Sequence, residues 1–373
     1  MLRFLASAAA ACALLPATAI AAPTPVVGKN MELLTQLPEA AGAVAMRFSV
    51  DRPLMVISTL KGIHTYDVTD PASPTRLGYL PMVIEQNEGM SLVERPNGTK
   101  FVLIGSNGAV FGVRGTSLDS DTASKRLFVV DVTDPALPKL ISSITTPTRT
   151  HTVSCATTSC EYAYSDGRAG GAISIIDLRD PWTPKVVGTY RSVVPGGHDQ
   201  DVDAAGILWH VGLQGSVALD VSEPTAPVQL NSTDRAGASS TDYAGKPFNN
   251  FIHHNSTRPN ATAFAQEPGP DGALTSGPPS LARGNVLLVT EEDYLNTEAD
   301  GAGRCGDYEG SFQTWYVPFL DAAEYERVNP AAKSGEGTIA PLDRWNTELL
   351  DQGTTPAGAF CSAHYFDYDD RGF

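Results

Sequence analysis

A phrase recurs along this chain, and it restricts what the chain can fold into. Asp67-Val-Thr-Asp-Pro-Ala-Ser-Pro74 returns as Asp131-Val-Thr-Asp-Pro-Ala-Leu-Pro138, Asp177-Leu-Arg-Asp-Pro-Trp-Thr-Pro184 and Asp220-Val-Ser-Glu-Pro-Thr-Ala-Pro227. Each copy ends one apolar run and precedes another. Proline cannot donate to a strand ladder, so the phrase is a turn between strands. A unit repeated at this spacing stacks on copies of itself.

The runs around the phrase are short and rich in β-branched and aromatic residues, as in Arg126-Leu-Phe-Val-Val-Asp131 and Phe101-Val-Leu-Ile-Gly105. Four such runs per unit, with turns between them, make a propeller blade. No stretch of helical period competes. The expected fold is therefore all-β, a β-propeller of four-stranded blades. Five units are complete, and fragments flank them. Asn30 to Leu37 reads as an outer strand closing the ring, and the chain stops at Phe373 soon after a sixth unit begins. A seven-bladed ring would need roughly 70 to 100 residues more at this repeat length, so the ring is expected to be incomplete at the C-terminus. Insertions are expected at about 232–249, 259–284, 295–310 and 320–357.

Residues 1–21 have the pattern of a signal peptide, with Arg3, an apolar run from Phe4 to Leu15, and small residues at Ala19 and Ala21. The remaining 22–373 form one propeller domain, placed in the periplasm, outside the cell or at its surface. No later run is long and apolar enough to span a membrane. A net charge of −16 without a basic stripe argues against nucleic acid. Beyond the signal lie Cys155, Cys160, Cys305 and Cys361, an even number that fits two disulfides in an exported protein. Cys155 and Cys160 flank a hairpin turn, and half of a metal site is the weaker reading of that spacing.

The strand ending in Asp, then Val-x-Asp-Pro-x-x-Pro, resembles the LVIVD-repeat proteins, a family of exported bacterial β-propellers. The resemblance covers most of 43–230 and, less closely, 250–366. It implies the architecture more than an activity. A more distant similarity is to the selenium-binding and methanethiol oxidase propellers, which carry channel histidines around copper. Thr150-His-Thr-Val and His253-His254 are in that style, but their order and spacing differ, so no residue is carried over.

Independently of any family, His151, His198, the His253-His254 pair and His364 each stand at the start of an inner strand. Inner strands surround the propeller axis, so like-placed side chains meet at one channel. Glu88 holds the matching place in the second blade, and Glu291 and Glu292 follow the second strand of the fifth. Imidazoles with carboxylates suit a transition metal such as Cu, Zn or Fe. The candidate ligands are His151, His198, His253, His254, His364 and Glu291, and the candidate proton acceptors are Glu291 and Glu88. Neighbouring strand residues face opposite ways, which favours His254 over His253 in a regular strand. A ring of hydrogen bonds anchoring the blades would use the same residues without metal. His64 and His210 lie inside later strands and read as packing residues.

Asp199-x-Asp-x-Asp203 lacks the glycine and closing glutamate of a calcium loop. No nucleophile elbow, zincin helix or phosphate loop is present, so nucleotide and flavin are not expected. The leading functional expectation is a binding module for a protein or small-molecule ligand, with a His/Glu site at the channel. A metal-dependent oxidoreductase of copper type or a hydrolase is the alternative, and a purely structural surface protein the third reading.

Overall fold

A computed structural model describes residues 33–82, 84, 88–106, 125–166, 172–192, 197–213, 215–233, 252–272, 274–292, 311–321, 323–324 and 339–346. The expected signal segment, Cys305, Cys361 and His364 lie outside the described residues. The described strands form five four-stranded antiparallel sheets and one two-stranded hairpin. Blade 1 runs β1 (Ala43–Phe48), β2 (Leu54–Thr59), β3 (Gly62–Asp67) and β4 (Thr75–Pro81). Blade 2 runs β5 (Ser91–Glu94), β6 (Lys100–Ser106), β7 (Arg126–Asp131) and β8 (Lys139–Thr145). Blade 3 is β9 (Thr152–Cys155), β10 (Tyr162–Asp166), β11 (Ala172–Asp177) and β12 (Lys185–Arg191). Blade 4 is β13 (Asp199–Val202), β14 (Ile207–Gly212), β15 (Gly215–Asp220) and β16 (Val228–Ser232). Blade 5 combines β17 (Ile252–Thr257), β20 (Val286–Glu292), β21 (Ser311–Tyr316) and β22 (Ala340–Asn346), with the hairpin β18 (Glu267–Pro268) and β19 (Leu274–Thr275) inserted. The first strands of successive blades adjoin in chain order, the arrangement of a β-propeller.

Burial explains the composition of each strand. The second strands are covered on both faces, by neighbouring blades or, for Met55 and Ile57 of β2, by the cluster of Leu37, Ala40 and Tyr66, so β2, β6 and β14 are buried at every position. In β6, Val102 and Ile104 pack with Leu54 and Val56 of blade 1. Phe101 and Leu103 pack instead with Val153 and Ala163 of blade 3. One strand thus feeds two cores, and a continuous apolar run replaces the alternation of a half-exposed strand. The same alternation builds the core of blades 3 and 4 around Tyr164 and Leu208, and that of blades 4 and 5 around Trp209 and Trp315. Each large apolar side chain so buried contributes about 2–3 kcal/mol. Outer strands such as β12 alternate between exposed and half-buried positions.

The repeated phrase forms two successive turns capped by its own acidic residues. In blade 2 the Asp131 carboxylate accepts from the Thr133 amide at 2.8 Å, and Asp134 accepts from the Ala136 amide at 3.0 Å. Blades 1 and 3 repeat both bonds through Asp67 and Asp70, and through Asp177 and Asp180. The proline after the second acidic residue then turns its carbonyl to the preceding blade. Pro135 O accepts from Thr65 Oγ1 at 2.5 Å, Pro181 O from Ser142 Oγ at 2.7 Å, and Pro224 O from Tyr164 Oη at 3.0 Å. Gly78 lies so close to Pro135 that a Cβ there would overlap the carbonyl.

A disulfide joins Cys155 and Cys160, clipping the hairpin between β9 and β10. Two expectations need correction. Leu33 to Leu37 form no strand; Leu37 instead packs beside Ala40, Met55 and Tyr66. The span 320–357, read as insertion, contains β22, the fourth strand of blade 5. Its sequence lacks the Asp-Pro phrase, which removed the marker used elsewhere. The 259–284 insertion is tied down by buried Asn285, whose amide donates to Ser276 O and Pro278 O and accepts from the Ser280 amide.

Candidate metal centre

Four side chains from four successive blades meet at the channel: Glu88 just before β5, His151 before β9, His198 before β13, and His254 within β17. The three imidazoles are at most 1% exposed, and the Glu88 side chain is 15% exposed. Hydrogen bonds to backbone carbonyls hold these starting points together. The Glu88 amide donates to His151 O at 3.3 Å, and Thr152 Oγ1 donates to His198 O at 3.0 Å. Asp166 O accepts the His151 amide at 2.6 Å, and Val211 O accepts the His198 amide at 2.8 Å.

His254 reaches the cluster through a β-bulge. His253 pairs with Glu291 and Asn255 with Thr290, so His254 is the extra residue of the first strand. A bulge re-aims one side chain and lets its neighbour keep the regular direction. His253 accordingly faces away: its Nδ1 lies 2.8 Å from Ser216 Oγ, and its ring meets Trp315 edge-on.

Neighbouring donor atoms lie at the spacing of metal ligands. His151 Nε2 lies 3.2 Å from both His198 Nε2 and Glu88 Oε2. Glu88 Oε2 is 3.1 Å from His254 Nε2 and 3.7 Å from His198 Nε2. Tetrahedral zinc sites with arms of about 2.0–2.1 Å have edges of about 3.3–3.4 Å, inside that spread. Glu292 Oε2, 3.7 Å from His254 Nε2, adds a second carboxylate. Two groups could hold a metal ion, Glu88 with His151 and His198, and Glu292 with His198 and His254. Burial works to raise the Glu88 carboxyl, but hydrogen bonds from His151 and His254, with the charges of His151 and His198, hold it well below the usual carboxylate range.

Behind the ligands stands a second buried pair. His210 Nε2 lies 2.5 Å from Asp166 Oδ2, and neither side chain is exposed. Gly197, the residue before His198, sits against both, and a Cβ there would overlap them. His210, expected as packing, is thus half of an ionisable pair whose carboxylate belongs to the residue that holds the His151 amide. His64 does pack, stacked with Tyr66 and tilted on Tyr79.

Glu291 points elsewhere. Its carboxylate accepts from Ser311 Oγ at 2.6 Å and Gln313 Nε2 at 3.2 Å. The acidic residue beside the imidazoles is Glu292, one position along. Sequence reasoning missed this because both glutamates lie inside β20, where neighbouring side chains diverge.

No family model matches the chain, and no curated protein matches it. Similar solved structures include a protein from Lactobacillus plantarum, at 9% identity and a TM-score of 0.45, covering 80% of this chain and 70% of that one. A protein of unknown function from Desulfotomaculum acetoxidans matches at 8% identity and 0.46, covering 81% and 75%. The periplasmic gluconolactonase of Pseudomonas aeruginosa matches at 10% identity and 0.44, covering 80% and 69%. Likeness at this level transfers neither residues nor activity.

Proposed function

We propose that this chain is an exported metal-binding propeller of the LVIVD-repeat type. His151, His198, His254 and Glu88 hold a transition metal ion at the channel, and a small molecule binds beside it. The convergence of three buried imidazoles from three blades on one carboxylate oxygen carries this reading. A purely structural ring fits less well. His151 Nε2 lies equally near His198 Nε2 and Glu88 Oε2, and a single N–H cannot be aimed at both. An ion satisfies all the lone pairs at once.

Such an ion supplies Lewis-acid polarisation of a bound oxygen or carbonyl group. The chain's own residues then divide the work. The imidazoles fix the position, the buried walls exclude water, and Glu292 is placed to hold a proton next to His254. The identity of the metal separates hydrolytic from redox chemistry.

Metal analysis of the purified protein tests the reading. About one equivalent of zinc, copper or iron per chain is expected, falling below about a tenth in the His151→Ala/His198→Ala double variant. Wild-type protein that takes up no more of these metals than the double variant overturns it.

A further inference from the structure

The address shared by the four ligands has a fifth occupant, in blade 1. Counting along the second strands from the residue opposite the aspartate of the turn phrase, Leu54, Tyr162 or Ile207, the fifth residue is Ser58, Asp166 or Val211. Their partners in the first strands are Ala45, Thr152 and Asp199. The residues just before those partners are Val44, His151 and His198. Blade 5 agrees without the phrase: Thr290, fifth from Val286, pairs with Asn255, which follows His254. In blade 2, Gly89 bridges Thr152, so Glu88 stands level with His151. Val44 is therefore the blade 1 equivalent of the ligands.

The backbone repeats along with the address. Ala43 pairs with Thr59 and Ala45 with Ser58, so Val44 is the extra residue of a β-bulge, as His254 is in β17. A bulge re-aims the side chain of its extra residue. Val44 lines a cavity of about 340 Å³, and Glu88 is the one proposed ligand that borders it. The three imidazoles are buried, whereas Val44 is half-buried and Ala43, Met46 and Arg47 beside it are exposed. The centre is thus walled in by blades 3 to 5 and approached from the side of blade 1.

Valine has no lone pair to offer an ion. Structural metal sites are closed by protein donors, whereas catalytic sites keep a place for an exchangeable ligand. We infer that Val44 holds the blade 1 side of the ion free of protein donors, and that a small Lewis base, the class of water, carboxylates and azide, enters there from the cavity. The inference rests on the metal reading, to which it adds the direction of approach and the residue that controls it. A donor side chain at position 44 would take the place of that ligand, and a bulkier apolar one would obstruct it.

The test uses the full chain, chelated and reloaded with cobalt(II), whose visible absorption reports its ligands, and azide as the probe. Azide is expected to change the wild-type spectrum saturably. Val44→His should alter the azide-free spectrum and weaken azide at least about tenfold. Val44→Phe, which adds bulk and no donor, should weaken azide by a similar factor, so the outcome does not depend on the histidine variant folding. A cobalt spectrum that azide leaves unchanged in wild type, or azide affinity unchanged in either folded variant, overturns the inference while cobalt uptake supports the metal reading. Failure of the wild type to take up cobalt ends this inference, and the zinc, copper and iron analysis then decides the metal reading on its own.

Discussion

The turn after each third strand and the point where each first strand begins occupy equivalent places in successive blades, yet the chain treats them in opposite ways. At the turn it repeats itself: Asp67, Asp131, Asp177 and Asp220 each accept the amide two residues on, at 2.8 to 3.0 Å. At the strand start it varies, with Glu88, His151, His198 and His254. The turn bonds its own backbone and the blade before it, so one solution serves every copy. The strand start faces a space shared by the blades, so blades 2 to 5 each contribute one ligand, a glutamate in blade 2 and a histidine in the other three. Repetition marks the scaffold, and departure from repetition at a repeated address marks the site.

The comparison breaks first at Gly197, where scaffold and site touch. Gly197→Ala drives a methyl group into the buried Asp166–His210 pair. A loss of about 4 kcal/mol in unfolding free energy is expected, from overpacking and a separated buried pair. Metal content should fall with it; chemical denaturation and metal analysis on one preparation check both. Unchanged metal content would detach this pair from the centre.

A smaller effect concerns Asp199 on the channel side. Burial is the main cause that pushes its carboxyl up to about 6, with the charge of Asp201 adding to it. The native state therefore binds more protons than the unfolded chain between about pH 4 and pH 6, and stability falls as pH rises through that window. The stability of wild type relative to Asp199→Asn should drop by about 2 kcal/mol from pH 4 to pH 7 in chelated protein, read from denaturation midpoints. A flat difference would show that the carboxyl is solvated.

The smallest change is expected at the turn. Asp131→Ala removes one cap, that of the Thr133 amide, at a cost of about 1 kcal/mol. Metal stoichiometry should stay at the wild-type level. A fall in bound metal would erase the division between turn and strand start.

Much of this was legible in the sequence because a blade is a local unit. The second and third strands follow from apolar runs, the turns from Asp-Pro, and the Cys155–Cys160 clip from its spacing. The shared address of Glu88, His151 and His198 followed from counting strands. Other features depend on partners distant in sequence. The bulge at His254 exists only in register with β20, and that register also decides that Glu292 rather than Glu291 meets the imidazoles. The Asp166–His210 pair joins two blades through residues with no motif around them. β22 was hidden because no Asp-Pro precedes it, and Leu33 to Leu37 have strand composition but form no strand, with Leu33 and Leu34 exposed and Leu37 packed beside Ala40.

The proline latch has a mechanical consequence. Among the described residues, Pro135, Pro181 and Pro224 each grip the sheet immediately before them, and Arg95 reaches forward to the Ser159, Cys160, Leu178 and Arg179 carbonyls of the next blade. Where blade 5 lacks the phrase, the buried Arg258–Asp203 pair at 2.7 Å does that work. Cohesion that passes from neighbour to neighbour behaves like a linear array, in which an element flanked on both sides opens last. His151 and His198 belong to sheets flanked in this way, so amide exchange around them should be among the slowest in the molecule. Rigidity is thus concentrated where the geometry of the imidazoles has to be kept.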